Sequence, residues 1–414
     1  MVSVKQVVFA VFALAGQTIA GDNAVFDKYI ITLKDGVSGR SFDKHMKWIK
    51  DVQSRVPSRN RGSGVEKKYN TDFGYNGYVG SFDEATLAEI RASPEVQAVE
   101  KDAPVYLSVM PEEDTKLQRR ARKLGKRAEV EQKNAPWGLA TVSHRYPNAL
   151  EYNYNDAAGR DTYAYVVDTG VRQTHNEFDG GRVLQGYTAF DSHEDSFGHG
   201  THVAGTIAGK TYGVAKEANI IAVKVFNGSS STMEITLGGF NWAVTDILKN
   251  NRTGRAVISM SFGGGATEAF NTAVDRASAH GVVSVASAGN SYDDSSYYSP
   301  ASAKSAICVG AIGQSWYMAD FSNFGPNNDI FGPGVGVLSS WIDDDKSTRK
   351  LSGTSMAAPH ISGLVLNAMS VNGITGVEPV TQHLIKTATR NKIEGGVHGS
   401  PNLIGNNNVP GQWQ

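Results

Sequence analysis

One cysteine, Cys308, stands in the 414 residues, so no intrachain disulfide can form. It lies in the apolar run Ala306-Ile307-Cys308-Val309, which reads as a buried, inert thiol. Charge of one sign is lacking too. The net charge is −1, which gives no general attraction to nucleic acid or to a membrane surface. No apolar run reaches the roughly 18 residues of a transmembrane span, and no segment repeats at a fixed period of about 20–50 residues. The 45 glycines and 13 prolines supply many tight turns but fall short of low complexity. A chain this long can hold more than one domain, each with its own core.

The N-terminus reads as a secretory signal over residues 1–20. Lys5 is the positive start, Val7 to Ala15 are apolar, and Thr18-Ile19-Ala20 offers small residues for cleavage. Residues 21–108 then form a small unit. Strand patterns at Lys28–Leu33, Tyr78–Phe82, Val96–Val99 and Ala103–Leu107, with helix patterns at Phe42–Val52 and Ala85–Ala92, predict an α+β, ferredoxin-like β-α-β-β-α-β domain. Residues 109–127 are charged and poor in apolar groups, and end at Lys126-Arg127; they read as an exposed, cleavable linker. By sign, residues 21–127 carry 20 Lys+Arg against 16 Asp+Glu, and residues 128–414 carry 19 against 25. Opposite net charges favour association of the two parts.

Residues 128–414 read as an α/β domain with a mostly parallel central sheet flanked by helices. Strands at Thr162–Val167, Asn219–Phe226, Ala256–Met260, Val282–Ala286 and Ser305–Ile312 alternate with helical patterns at Met233–Leu248 and 266–279. Chemistry is then expected where strands end. Asp168 ends one such strand. Gly198-His199-Gly200-Thr201-His202 enters a helix pattern, and Gly353-Thr354-Ser355-Met356-Ala357-Ala358-Pro359-His360 begins another. A serine at a helix start has free N–H donors beside it for an oxyanion, and Pro359 suits a first helical turn. Serine needs a base, and histidine with a carboxylate supplies one. Each residue also has a plainer reading: Ser355 as a cap, Asp168 as a turn residue, His199 and His202 as a metal pair. Asp168-Thr169-Gly170 has no second copy for an aspartic dyad.

The chain order Asp, His, Ser, with the three motifs around Asp168, His199 and Ser355, resembles the subtilisin-like serine proteases. Within them it is similar to the proteinase K and fungal alkaline-protease branch. Asn134-Ala135-Pro136-Trp137-Gly138-Leu139 resembles the start of the mature enzyme in that branch. Residues 28–107 resemble the family's inhibitory propeptide.

The resemblance implies a secreted serine endopeptidase made as a self-inhibited zymogen, monomeric, acting on proteins and peptides. It implies the triad Asp168, His199 and Ser355, with Asn290 as oxyanion donor. Ser261, Phe262, Gly263 and Gly264 would form one substrate-binding strand, and Gly228 and Ser229 would lie on the opposite edge. Neither stretch is charged, which favours an apolar or aromatic residue before the scissile bond. The same resemblance implies a structural Ca2+ held by Asp329 and the backbone carbonyls of Lys304 and Ala306. Asn227 and Asn251 fit the glycosylation sequon, Asn251 in the more polar loop.

Overall fold

The computed structural model describes residues 27–57, 61–110, 129–410 and 412. The signal segment and the linker with Lys126-Arg127 lie outside the described residues. No helix among those described is long and apolar enough to cross a membrane.

The first unit runs β1 (Lys28–Leu33), α1 (Gly39–Ser54), β2 (Gly64–Asn70), β3 (Asn76–Ser81), α2 (Glu84–Ala92) and β4 (Val96–Lys101). Its antiparallel sheet has the order β2-β3-β1-β4. This is the β-α-β-β-α-β unit expected, but with a different set of strands. The second strand is Gly64–Asn70, whose lysine-rich edge carries little apolar signal. The stretch Ala103–Leu107 does not belong to this sheet at all.

Alternation along the strands divides their side chains between two cores. Ile31, Leu33 and Tyr78 pack with Phe42, Met46 and Ile49 of α1 and Leu87 and Ile90 of α2. Ile30 and Val79 face the other way, into a core shared with the second domain. The unit therefore folds around its own helices and uses its second face for docking.

After β5 (Pro104–Leu107), β6 (Glu129–Lys133) pairs antiparallel with β7 (Glu151–Asn155), with α3 (Trp137–Thr141) between them. The main sheet begins at β8 (Tyr163–Asp168). It continues with β9 (Val183–Thr188), α4 (His199–Ala208), β10 (Asn219–Lys224), β11 (Ser230–Thr232), α5 (Met233–Lys249) and β12 (Ala256–Met260). Next come β13 (Phe262–Gly265), α6 (Glu268–Ala279), β14 (Val283–Ser287), β15 (Tyr298–Ser299), β16 (Ala306–Ile312), β17 (Ile330–Pro333) and the hairpin β18 (Val337–Ser340) and β19 (Thr348–Leu351). The chain closes with α7 (Thr354–Ser370), α8 (Val377–Thr387), β20 (Thr389–Arg390) and β21 (Leu403–Ile404).

The nine-stranded sheet has the order β20-β21-β17-β16-β14-β12-β8-β10-β9, parallel throughout except for β20. Both faces are covered, as its continuous apolar strands require. Ala164 and Val166 of β8 join a core with α4 and α7, while Tyr165 and Val167 join one with α5 and α6. Chain order reverses at β8, with β10 on one side and β12 on the other. Such a switch point opens a crevice at the strand's C-terminal end, where Asp168 sits. Cys308 lies fully buried in β16, and burial pushes its thiol up, in keeping with an inert side chain.

Docking of the first unit uses carboxylates at helix starts. Glu100 accepts from the N–H groups of Glu268 and Ala269 at the start of α6, and Asp102 from the N–H of Glu234 at the start of α5. Free N–H groups and the positive end of the helix dipole favour an anion at such places. Lys28 lies 2.9 Å from both Glu66 and Glu234.

Candidate active site

Asp168 and His199 meet at the switch point, and Ser355 opens α7, the helix that packs against the α4 of His199. The Asp168 carboxylate is fully buried and meets His199 Nδ1 at 2.8 and 2.9 Å. The Thr169 N–H donates to the same carboxylate at 2.7 Å. A carboxylate can only accept, so Nδ1 carries the proton and Nε2 offers a lone pair. That Nε2 is buried and has no hydrogen-bond partner.

His202 does not share a site with His199. Its Nε2 faces the carbonyls of Val337 and Arg349, each at 3.0 Å. Burial, with His199 nearby, holds it down at about 3, so it stays neutral. The metal-pair reading of the two histidines falls on this geometry.

Ser355 is the second residue of α7, which starts at Thr354. Pro359 is therefore the sixth residue of the helix, not part of its first turn as the sequence suggested. Proline there cannot donate to the carbonyl four residues back, which is that of Ser355. The Ser261 hydroxyl fills the gap, donating to the Ser355 carbonyl at 3.0 Å. In return the Ser355 hydroxyl donates to the Ser261 carbonyl at 2.7 Å. The proline that interrupts the helix thus frees a carbonyl that ties α7 to the end of β12. The serine hydroxyl is thus spent on the Ser261 carbonyl, and it makes no hydrogen bond to His199 Nε2.

Asn290 follows β14 and is held by its oxygen. Oδ1 accepts from the Thr354 N–H at 2.9 Å and the Thr354 hydroxyl at 2.8 Å. This fixes the amide and leaves Nδ2 buried without a partner. A buried donor without an acceptor costs roughly 1–3 kcal/mol, so it calls for an explanation.

The cleft beside it is filled by the first unit. Strand β5 of the first unit inserts between β11 and β13, antiparallel to both. Leu107 pairs with Phe262 and Tyr106 with Gly263; on the other side Tyr106 pairs with Ser230, and the Leu107 N–H donates to the Ser229 carbonyl at 3.0 Å. The Ser108 N–H donates to the Ser261 carbonyl at 3.2 Å, and the Met110 N–H to the Ser352 carbonyl at 2.8 Å. Between them the Ser108 carbonyl accepts the Ser355 N–H at 3.1 Å. Two glycines admit this chain. A Cβ on Gly353 would stand 2.3 Å from the Ser108 oxygen and 3.2 Å from Asn290 Nδ2, and one on Gly264 would stand 2.9 Å from the Pro104 oxygen.

Among the residues expected to bind substrate, Ser261, Phe262, Gly263, Gly264 and Ser229 meet the inserted strand. Gly228 does not pair with it; β11 begins two residues later. A cleft of about 370 Å3 continues past the inserted strand, lined by Val109, Met110, Phe197, His199, Trp341 and Leu351, among others. Trp341, Phe197 and Leu351 had no pattern in the sequence to mark them. Asp329 stands apart from this cleft. Its Oδ2 accepts the Cys308 N–H at 2.8 Å beside β16, the strand that begins at Ala306, and Lys304 is exposed just before it.

Residues 159–406 match the model of the subtilase family, and residues 28–108 match that of the peptidase inhibitor I9 domain. The chain is 48% identical over 393 residues to an alkaline proteinase of Hapsidospora chrysogena, covering 95% of this chain and 94% of that one. It is 47% identical to the subtilisin-like proteinase Mp1 of Magnaporthiopsis poae, covering 92% of each. The crystal structure of a cold-adapted subtilisin-like serine proteinase superposes with a TM-score of 0.61 at 38% identity, covering 67% of this chain and 99% of that one.

Proposed function

The chain belongs to the subtilase family of serine proteinases and carries an I9 inhibitor domain ahead of the catalytic one, and from that premise we propose a secreted zymogen whose first substrate is its own chain. The observation that carries this reading is the Ser108 carbonyl on the Ser355 N–H at 3.1 Å. Ser355 Oγ attacks the Ser108 carbonyl carbon, and His199 Nε2 takes the hydroxyl proton. Asp168 holds the imidazole and stabilises it once charged. The oxyanion receives the Ser355 N–H and Asn290 Nδ2, the donor that otherwise lacks a partner. His199 returns the proton to the Val109 nitrogen as the Ser108–Val109 bond breaks, and water then releases Ser108 from Ser355.

Other chains would enter the same slot as an added strand, with an apolar or aromatic residue before the scissile bond. No charged side chain lies in Ser261–Gly264. The residue in that place here is Ser108, while Val105 and Leu107 are buried. Self-cleavage is then driven by these two side chains and by the tethering of the strand. Hydrolysis of a tetrapeptide amide ending in Phe or Leu, stopped by a serine-directed inhibitor, tests the activity; a protein inert toward such amides and toward casein would overturn it.

Maturation takes two cuts in this reading: self-cleavage at Ser108–Val109, then removal of residues 109–127 by a separate dibasic-specific protease. The uncharged slot gives the enzyme itself no hold on Arg127. In a secreting host without such a protease, N-terminal sequencing should find Val109. An N-terminus at Ala128 would show that the enzyme makes the second cut itself. The segment 21–108 should inhibit the mature enzyme in trans. Asn251, exposed in a turn after α5, is the glycosylation site we favour over Asn227 at the substrate edge.

We also propose Ca2+ at Asp329 with the carbonyls of Lys304 and Ala306. Two features support the fit: burial raises the Asp329 carboxyl to about 6, and no cation stands within ion-pair distance of it among the described residues. A bound cation would supply that charge and fix the loop before β16. A carboxyl raised on folding contributes stability below its unfolded value that is lost as pH rises through about 6. In chelator, therefore, the melting temperature should fall from pH 5 to pH 8 more in the native chain than in Asp329→Asn. Added Ca2+ should restore the native chain alone, by several degrees. Equal responses of the two proteins to Ca2+ would remove the site.

A further inference from the structure

Asp195 is 4% exposed, and no step of the proposed chemistry uses it. Its Oδ1 accepts the Thr169 hydroxyl at 2.8 Å, the Phe197 N–H at 3.1 Å and the Gly198 N–H at 2.7 Å. Its Oδ2 accepts the Thr201 N–H at 2.9 Å and the Thr201 hydroxyl at 2.6 Å. These donors belong to two pieces of chain. One is the turn that follows Asp168. The other is the start of α4, whose first residue is His199.

The Thr169 residue links the two pieces a second time. Its hydroxyl oxygen accepts the Gly200 N–H at 2.8 Å, and its own N–H holds Asp168 Oδ1 at 2.7 Å. Its carbonyl accepts the buried Lys224 ammonium at 2.6 Å, from the residue in register with Asp168 on β10. One carboxylate thus spans the Asp168–His199 pair from behind: a strut from the Asp168 turn to the helix that carries the imidazole.

We propose that Asp195 is a positioning residue that sets the Asp168–His199 geometry; the proposal rests on the triad reading above. Every partner of Asp195 is a donor, so the site needs an acceptor on both sides. An amide of the same shape turns an NH2 toward two or three of them, whichever way it lies. The buried donors then lose their acceptor and the two pieces of chain shift apart. Displacements near 1 Å are enough to cost about 100-fold in turnover.

The test compares mature Asp195→Asn, Thr169→Val and the double variant with the native enzyme on a tetrapeptide amide. Asp195→Asn should lower kcat by roughly 30- to 100-fold with KM changed less than about twofold. Thr169→Val should lower kcat as well. The double variant should lose less than the product of the two single losses, because both changes remove the Thr169–Asp195 bond. The low-field proton resonance of His199 Nδ1 should shift or broaden in each. A lower melting temperature with unchanged kcat, or fully additive losses, overturns the proposal. If Asp195→Asn does not fold, Thr169→Val decides, since it keeps the carboxylate and its other donors: unchanged kcat there overturns the strut. Asp168→Asn runs alongside. Full turnover in that variant defeats the triad reading itself, whereas loss there with native-like Asp195→Asn defeats only the strut.

Discussion

Ser355→Ala should yield a precursor that is secreted folded and stays in one piece. On the proposed maturation the native chain should lose the residues before Val109, and the variant should keep them, visible as a single band carrying the first unit. On peptide amides its turnover should fall by about a millionfold, since the nucleophile and its base act as one unit. The fold should survive, because the hydroxyl makes one hydrogen bond, to the Ser261 carbonyl, and that carbonyl also accepts the Ser108 N–H. The remaining activity, from the oxyanion donors alone, should still exceed that of water. A variant that cuts itself at a native rate would overturn the assignment of Ser355.

Asn290→Ala should act on a different quantity. The amide nitrogen has no partner while the carbonyl is planar, so substrate binding gains little from it. In the proposed mechanism it becomes one of two donors once charge develops on the oxygen. Turnover should fall about 100- to 1,000-fold at nearly constant KM. The loss of the Oδ1 bonds to Thr354 complicates the alanine variant, and Asn290→Asp separates the effects. Aspartate keeps the acceptor for Thr354 but cannot donate to an oxyanion, so it should be at least as slow as alanine. A variant with raised KM and native kcat would make Asn290 a substrate-positioning residue instead.

Much of this was legible in the residues. The alternation of apolar strands and helices after residue 160 gives the parallel sheet, because only strands covered on both faces read as unbroken apolar runs. The three short motifs single out Asp168, His199 and Ser355 through their likeness to the subtilases; taken alone, the residues also allowed a cap, a turn and a metal pair. What escaped follows a different logic. Strand β2 was hidden by its lysines, since an edge strand with one wet face shows half a pattern. The stretch Ala103–Leu107 was readable as a strand but not as a strand of another domain: pairing partners far away in sequence leave no local trace. The same holds for the Ser261–Ser355 exchange. Nothing near Pro359 indicates that its missing N–H is answered by a residue from the end of β12. Four of the five bonds to Asp195 stay within residues 195–201, and only the one from Thr169, which makes it a link between two pieces of chain, depends on tertiary approach.

The slot between β11 and β13 has a consequence for what the mature enzyme can destroy. With β5 gone, the two strands face each other across a gap of about 9.6 Å, twice the usual strand spacing. The chain that fills it here is a strand through Leu107 and is bonded by its backbone as far as Met110, on either side of the proposed cut. Such a gap cannot close on a helix or on a strand already paired on both edges. A folded protein is therefore safe until it frees an extended stretch of about that length. At low enzyme concentration its survival time then measures its own local opening equilibrium. A mutation that loosens one hairpin of the prey by about 1.4 kcal/mol should bring the cut there about ten times sooner, with no change in the sequence being cut.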